Sequence, residues 1–179
     1  HHPYDRHIFG GDTANGKVND VYSYDIIDGS WTSLSTSGAT DANDIPSVRS
    51  NSVGVVFENV LYVHGGLGPN DAIIDTHTYT LNLNTNKWTK LSTIGDIPSA
   101  REEVPTAVLW RDSMILFGSD VENGDDTNVY VLDLHLYHEW SKWHCTGSAV
   151  SARSAHGAVV HNDDMYIMGG SYDDSDSIM

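Results

Sequence analysis

A short motif that ends in arginine recurs along this chain at a constant interval. Its arginines are Arg49, Arg101 and Arg153, and 52 residues separate each from the next. A serine stands two positions before each arginine, and a proline precedes the serine in the first two copies. A period of this length indicates that one structural unit is repeated side by side. The predicted repeat segments are about 1–48, 49–100, 101–152 and 153–179.

Three further landmarks keep the same register between the arginines. Apolar runs end in a glycine or a glycine pair, the next run carries a tyrosine, and a tryptophan opens the run after that. The glycines are Gly10, Gly11, Gly65, Gly66, Gly118, Gly169 and Gly170; the tyrosines are Tyr22, Tyr79 and Tyr130; the tryptophans are Trp31, Trp88 and Trp140. Because four landmarks agree, we interpret them as structural positions of the repeat.

Each repeat divides into four strand-length segments separated by turn residues, and no helical periodicity of useful length interrupts them. We name the segments A, which follows the arginine, B, which ends in glycine, C, which carries the tyrosine, and D, which begins near the tryptophan. The order along the chain is then BCD, ABCD, ABCD, AB. Strand A is expected at roughly 51–57, 104–110 and 155–161. The tight polar turns between A and B predict antiparallel sheets, so the fold class is all-β.

This combination of landmarks resembles the kelch repeat family over essentially the whole chain. The resemblance implies a β-propeller, in which four-stranded antiparallel blades surround a central channel. About three blades' worth of strands are present, whereas closed propellers need at least ~4 blades. We therefore expect residues 1–179 to form a partial propeller domain within a larger, six- or seven-bladed ring. The remaining blades would come from flanking sequence or from another chain.

The third repeat departs from the pattern. Ser119 replaces its second glycine, one extra residue lies between Arg101 and Gly118, and Pro105 falls in its strand A. Proline in a strand suggests a bulge or a late strand start. We therefore expect this blade to be the least regular.

The charge balance restricts the classes of partner. The chain has 9 Lys and Arg against 25 Asp and Glu, which gives a net charge of −16. Nucleic acid is not expected as a partner, because phosphate binding needs a basic surface, and a basic protein or peptide fits better. No apolar stretch approaches the ~18 residues of a membrane span. The single cysteine, Cys145, and the absence of an Asn-x-Ser/Thr sequon favour a cytoplasmic location, with a nuclear one as the alternative.

Acidic residues gather in the segments between strands B and C. In a propeller these segments and the D-to-A connections emerge on one face, which we call the B–C face. We predict a binding role for five of these residues: Asp71, Asp120, Glu122, Asp125 and Asp126. The same segments hold Asp12, Asp20, Asp75, Asp173, Asp174 and Asp176. The interpretations are a docking face for a basic partner, a solvated surface, and a calcium site, although EF-hand spacing is not kept.

The repeated arginines have two interpretations. In proteins that this chain resembles, arginines near this position either tie adjacent blades through backbone carbonyls or line the ligand pocket. Arg49, Arg101 and Arg153 are therefore both structural and binding candidates, at the mouth of the expected channel. Arginine's five donors suit the first role, since loop carbonyls accept them well.

No catalytic constellation with recognisable spacing occurs in the sequence, and no cofactor or metal is assigned. His64 and His156 are the two histidines near the expected channel, and Trp110 is a candidate apolar anchor on the opposite face. The resemblance favours a protein–protein interaction scaffold or adaptor. The alternatives are a kelch-like propeller enzyme of the oxidase, sugar mutarotase or specifier type, and an architectural part of a large assembly.

Overall fold

A computed structural model of the protein describes residues 6–74, 76–101, 103–121, 124–148 and 150–171. These residues form seventeen strands and two three-residue 3₁₀ turns, and they divide into two compact units, 1–92 and 93–179. Among them, no helix is long and apolar enough to cross a lipid bilayer. The four-stranded meanders are antiparallel and the fold class is all-β, as the sequence predicts.

The first unit contains two blades. Blade 1 consists of three strands in the order β1-β2-β3, and blade 2 adds a four-stranded meander, β5 to β8. The strands are β1 (Arg6–Thr13), β2 (Gly16–Asp25), β3 (Ser30–Leu34), β4 (Ser37–Gly38), β5 (Val53–Phe57), β6 (Val60–His64), β7 (Thr78–Asn82) and β8 (Lys87–Leu91). The 3₁₀ turns are Ala42–Asp44 and Pro69–Asp71. β1 to β3 correspond to segments B, C and D, and β5 to β8 to A, B, C and D.

The second unit repeats this plan. Blade 3 is formed by β10, β11, β14 and β15, and blade 4 by the hairpin of β16 and β17. The strands are β9 (Ile94–Gly95), β10 (Thr106–Trp110), β11 (Ser113–Phe117), β12 (Asp120–Val121), β13 (Gly124–Asp125), β14 (Val129–Asp133), β15 (Glu139–Trp143), β16 (Gly157–His161) and β17 (Asp164–Met168). The predicted order of segments is confirmed in both units.

Two short strands that sequence reasoning did not anticipate extend blades 2 and 3. They lie in the linkers from strand D to the next strand A, and they pair in parallel with the outer strand of the blade that follows: β4 with β8, and β9 with β15. Each of these blades is therefore a five-stranded sheet whose last strand comes from the preceding repeat. This strand joins neighbouring repeats through backbone hydrogen bonds.

The expected irregularity of the third blade is only partly confirmed. Strand β10 starts directly after Pro105, five residues beyond Arg101, so the late strand start is correct. Its pairing with β11 is continuous, however, and the register shift falls in blade 1, between Phe9 and Gly11. There β1 and β2 stay paired beyond the glycine pair and form one long hairpin. The bulge between Phe9 and Gly11 bends this hairpin.

The core of the first unit lies between its two blades. Trp88, at 0% exposure, packs with Leu81 of blade 2 and Val21 of blade 1. Phe9 of blade 1 meets the Trp88 ring edge-on, with centroids 5.3 Å apart. Trp88 is therefore the residue through which blade 2 buries its face against blade 1.

The core of the second unit lies between blades 3 and 4. Val108, Ile115 and Val131 are buried on one face of blade 3, and Val160 and Met165 of blade 4 pack against them. The alternate side chains of β11 and β14, including Leu116 and Leu132, are buried as well, so blade 3 buries side chains on both of its faces.

Candidate functional site

Arg49 connects the linker, its own blade and the blade before it. Its Nη1 donates to the carbonyl oxygen of Gly65 at 2.9 Å, and its Nε donates to the carbonyl oxygen of Ser47 at 3.0 Å. The carbonyl oxygen of Arg49 accepts a hydrogen bond from the amide of Gly11 in blade 1, at 2.8 Å. Because the side chain is fully buried, these bonds fix the linker at the end of strand B.

The other two arginines repeat this arrangement. Arg101 donates to the carbonyl oxygen of Gly118 at 2.8 Å, and Arg153 to that of Gly169 at 3.0 Å. The amide of Ser119 donates to the carbonyl oxygen of Arg153 at 2.9 Å, which ties blade 3 to blade 4. Ser119 keeps a positive φ of 79°, so this serine adopts the conformation that glycine has in the other repeats. Each arginine side chain therefore bonds a carbonyl oxygen of its own blade, and the backbone carbonyls of Arg49 and Arg153 bond the blade before it.

The repeated tyrosines are partners of the arginines. The Cζ atom of Arg49 lies 5.0 Å from the centre of the Tyr79 ring, and that of Arg101 lies 5.3 Å from the centre of the Tyr130 ring. Such cation–π contacts place the guanidinium charge against an aromatic face in a site with little water. This pairing explains why arginine and tyrosine recur in one register.

Asp126 is a buried ion-pair partner and not a surface carboxylate. Its Oδ2 lies 3.1 Å from Nη2 of Arg101, and both side chains are almost fully buried. Burial would raise the pKa of Asp126, but the backbone N–H of Asn128 and the charge of Arg101 outweigh it, and the pKa lies below its usual value. For Arg101, burial lowers the pKa despite the opposing effect of Asp126. Asp126 therefore positions Arg101 within blade 3.

Lys17 joins blade 1 to blade 2 on the B–C face. Its Nζ donates to Asp71 at 2.8 Å, to the Ser50 hydroxyl at 2.7 Å and to Asp12 at 3.2 Å. The hydrogen bond from Lys17 to Asp71 is the main cause that raises the lysine pKa. The Lys17 side chain is only 6% exposed, whereas that of Asp71 is 75% exposed. The cation is covered and the carboxylate faces the solvent.

The remaining acidic candidates fall into three groups. Asp120 and Asp125 lie opposite each other in the backbone register of the β12–β13 hairpin, between strands B and C of blade 3. Glu122 lies outside the described residues, as do Asp75, Asp173, Asp174 and Asp176. Asp12 and Asp20 were expected in a loop, which is wrong, because β1 and β2 extend through them. Blade 1 has a tight turn at 14–15 in place of a long B-to-C segment.

The linkers contain a carboxylate that the sequence interpretation missed. Asp44 accepts a hydrogen bond from the amide of Lys90 in β8, and Asp96 accepts one from the amide of Lys142 in β15. Hydrogen bonds from the hydroxyl and amide of Thr40, and from the amide of Asp41, lower the pKa of Asp44 well below its usual value. The signal was available, since Asp-Ile-Pro-Ser occurs at both linkers.

The two candidate histidines each contact a threonine of their own unit. His64 Nδ1 lies 3.0 Å from Thr78 Oγ1, and His156 Nε2 lies 2.7 Å from Thr106 Oγ1. Burial, followed by the charge of Arg153, lowers the pKa of His156. Within the described part of the chain, no three His, Cys, Asp or Glu side chains come together as a metal site would require.

Trp110 lies at the turn between strands A and B, on the face opposite the arginines. Its Nε1 donates to Asp163 at 3.0 Å, and its ring meets Trp143 edge-on at 5.9 Å. Arg111 also bonds Asp163, at 2.9 Å, and lies over the Trp110 ring. Trp110 therefore connects blades 3 and 4 at this edge.

Comparison with known proteins agrees with this geometry. The sequence model of the KLHDC2/KLHL20/DRC7 Kelch-repeats domain matches residues 6–170. The chain belongs to the kelch-repeat family. Its described strands are blades of a kelch β-propeller, and kelch-repeat domains are typically binding or adaptor modules.

Individual relatives share the repeats within much longer proteins. Acyl-CoA-binding domain-containing protein 5 of Arabidopsis thaliana is 26% identical over 94% of this chain and 25% of its own length. Leucine-zipper-like transcriptional regulator 1 of Mus musculus is 24% identical over 94% of this chain and 20% of its own. Kelch repeat protein C2 of Vaccinia virus is 32% identical over 65% of this chain and 21% of its own. The kelch chain thus spans about a quarter or less of each relative's length.

Proposed function

We propose that this kelch-repeat chain is a protein–protein interaction module that binds a basic protein or peptide segment on its B–C face. The observation that carries the proposal is how charge is divided there. In the first unit, Lys17 and Arg49 are turned inward and almost fully covered, whereas Asp71 is exposed; in the second unit, Arg101 is covered and Glu103 is exposed. Because the positively charged side chains are covered and the carboxylates are exposed, the electrostatic potential at this surface is negative and attracts a positively charged partner.

Hydrogen bonds at the ends of the B-to-C segments support binding by a preformed surface. The arginine bonds to the glycine carbonyls and the Lys17 bonds hold the ends of the B-to-C segments in place. A preformed face loses little conformational entropy when a partner docks, so its polar contacts contribute more fully to affinity. Ile73, which is exposed beside Asp71, adds an apolar contact to the charged ones.

The repeated arginines enter this proposal as positioning residues. Arg49 and Arg101 are covered within their blades, and Arg153 is more accessible. We propose that they act on a partner through the loops they hold, together with Asp126, which positions Arg101. The carboxylates of Asp71, Asp120, Glu122 and Asp125 are the proposed contacts.

The proposal is tested by removing two negative charges from the B–C face and, in a control, two from the A-to-B turns. The face variant carries Asp71→Asn and Glu103→Gln; the control carries Glu58→Gln and Asp112→Asn, which are exposed at the turns between strands A and B. The probe is a short peptide that alternates lysine and serine, titrated at low ionic strength. We expect the face variant to raise the Kd about fivefold and the control to change it little.

Two results would contradict the proposal. Equal weakening in both variants would mean that the peptide responds to net charge alone, which contradicts a defined binding face. Binding that is insensitive to added salt would also contradict it, because exposed charge pairs are screened by salt.

A further inference from the structure

The turn between strands C and D of blade 3 carries two large apolar side chains on its surface. Leu136 is 67% exposed and Tyr137 is 70% exposed. Ile94, in the short linker strand β9, is 56% exposed, and its amide donates to the carbonyl oxygen of His138 in this turn at 3.3 Å. We call Ile94, Leu136 and Tyr137 the outer patch of blade 3. Because β9 is the last strand of that five-stranded sheet, the patch lies at the outer edge of the blade.

Blade 2 shows that the repeat does not require apolar side chains at these positions. Its linker strand β4 pairs with β8 as β9 pairs with β15, and Ser37 takes the position of Ile94. Its turn between strands C and D contains Asn84 and Thr85, which are polar and exposed. The apolar side chains of the outer patch are therefore not a packing requirement of the repeat.

The exposure of this turn does not depend on the blade that follows it. In the first unit, blade 1 is followed by the complete four-stranded meander of blade 2. The equivalent turn of blade 1 is nevertheless open, and its Ile27 is 65% exposed. The following blade therefore does not cover a turn between strands C and D. Large apolar side chains that are exposed together and are not needed for packing indicate an interaction site.

Asp133 holds the turn in one conformation. Its carboxylate accepts hydrogen bonds from the three backbone amides at 135–137. Burial would raise the pKa of Asp133, but these bonds outweigh it, and the pKa lies below its usual value. The amide of Leu134 donates to the carbonyl oxygen of Asp112 at 2.9 Å, which fixes the turn to the neighbouring A-to-B turn. Side chains on such a preformed turn lose little conformational entropy when a partner docks.

The charges beside the outer patch are negative. Glu139 is exposed and stands opposite Ile94 in the parallel pairing of β15 and β9, and Asp96, two residues beyond Ile94, is exposed as well. Lys142 lies on the other face of β15 from Glu139, because side chains alternate along a strand. A partner with positive charges beside its apolar side chains complements this edge. A second copy of the chain does not, because each copy carries a net charge of −16.

We propose that the outer patch of blade 3 is a second docking surface, which binds a segment of another protein that carries apolar side chains between lysines or arginines. The apolar side chains of the partner contact Ile94, Leu136 and Tyr137, and its cations pair with Glu139 and Asp96. The turn between strands C and D lies at the opposite ends of the strands from the B–C face. Binding at the outer patch therefore does not depend on the function proposed above.

The test uses a short peptide in which phenylalanine and leucine lie between two pairs of lysines. The patch variant carries Leu136→Ser and Tyr137→Ser, and the matched control carries Asn84→Ser and Thr85→Ser in the equivalent turn of blade 2. We expect the Kd of the peptide to rise about tenfold in the patch variant and to stay unchanged in the control. Because all four side chains are exposed, both variants should keep the wild-type unfolding temperature, which separates lost docking from lost folding.

A second peptide, with serine in place of phenylalanine and leucine, separates this surface from the B–C face. It should bind the wild type and the patch variant equally, because it has no apolar side chain for the patch. Glu139→Gln should raise the Kd of the apolar peptide about threefold at low ionic strength, and added salt should remove this difference. Equal affinity of the apolar peptide for the patch variant and the control would overturn the proposal, whatever the serine peptide does.

Two further measurements identify the occupant. Sedimentation of the intact chain over a range of concentrations tests for self-association, and vesicles of neutral phosphatidylcholine test for lipid binding. We expect the wild type and the patch variant to behave alike in both. Self-association that the patch variant loses would assign the patch to a second copy of the chain, and vesicle binding that it loses would assign the patch to a lipid surface. Either result would overturn the proposal.

Discussion

The guanidinium of Arg101 lies 3.1 Å from the carboxylate of Asp126, and both side chains are almost completely buried. The same guanidinium donates to the carbonyl oxygen of Gly118 and lies near the Tyr130 ring. One ion pair thus connects the linker before strand A, the end of strand B and the start of strand C. The B–C face of blade 3 depends on this connection.

Loss of the Asp126 charge should destabilise the second unit. Asp126→Asn leaves the Arg101 charge buried without its counter-ion, and removing one partner of a buried pair costs about 3 kcal/mol. Asp71→Asn is the control, because the Asp71 carboxylate is 75% exposed and its pair with Lys17 should contribute much less to stability. Urea unfolding followed by tryptophan fluorescence measures both. Similar losses in the two variants would contradict the structural role of Asp126.

The stability that Asp126 contributes should disappear in acid. Its pKa is lowered in the folded state, so the folded protein binds this proton less readily than the unfolded chain does. The contribution is present above the unfolded pKa of about 3.9 and is lost as the pH falls through the folded value. The difference in unfolding free energy between the wild type and Asp126→Asn should therefore shrink between pH 5 and pH 2. A constant difference across this range would contradict the assignment.

His156 should make stability depend on pH in a different window. Its pKa is lowered by burial and by Arg153, so its neutral form fits the folded state, and stability is lost as the pH falls below the unfolded value of about 6.5. His156→Gln removes this titration and should flatten the stability profile between pH 7 and pH 5. The control is His161→Gln, at the exposed end of β16, the strand that begins directly after His156. An unchanged slope in His156→Gln would show that His156 does not titrate on unfolding.

Equivalent tryptophans should differ in their cost of removal. Trp88 is at 0% exposure and packs on Phe9, whereas Trp31 is 55% exposed. Trp88→Ala should lower the unfolding free energy by about 3–5 kcal/mol, and Trp31→Ala by much less. Calorimetry on the two variants checks this. Equal losses would contradict packing of blade 2 against blade 1 through Trp88.

The linker carboxylates should protect the outer edge of the next blade. Asp44→Ala removes the acceptor for the amide of Lys90, so hydrogen exchange at Lys90 should become faster. Asp20→Ala, at an exposed position of β2, is the control and should leave that amide unchanged. Unchanged exchange in Asp44→Ala would mean that β4 alone holds the linker.

The strand order was predictable because each strand carries a landmark with a fixed structural purpose. A positive φ requires glycine, packing against a neighbouring blade requires the tryptophan, and bonding several carbonyls requires arginine. Each role therefore repeats a particular residue type, which is visible in the sequence. The linker strands were not predictable in the same way. Ser37–Gly38 and Ile94–Gly95 are two residues long. Both close a Leu-Ser-Thr-x-Gly run, but their pairing is by backbone hydrogen bonds, so this run does not reveal the partner strand.

The candidate site was less predictable than the fold, because composition does not reveal which charges are covered. Asp71 and Asp126 are both aspartates between strands B and C, yet Asp71 faces the solvent and Asp126 is paired internally. The position of Asp126, four residues before the repeat tyrosine, was the available signal. Asp75 has the same position before Tyr79, although it lies outside the described residues.

The most direct test of the proposed binding face is a hydrogen-exchange footprint. The lysine-serine peptide is bound to the intact chain at low ionic strength, and amide protection is mapped along the sequence. We expect protection in the B-to-C segments and D-to-A linkers, at 65–74, 93–104 and 118–127, with little change at the A-to-B turns around 58–59 and 111–112. Protection centred on the A-to-B turns, or spread evenly over both sets, would contradict a binding face built from the B-to-C segments.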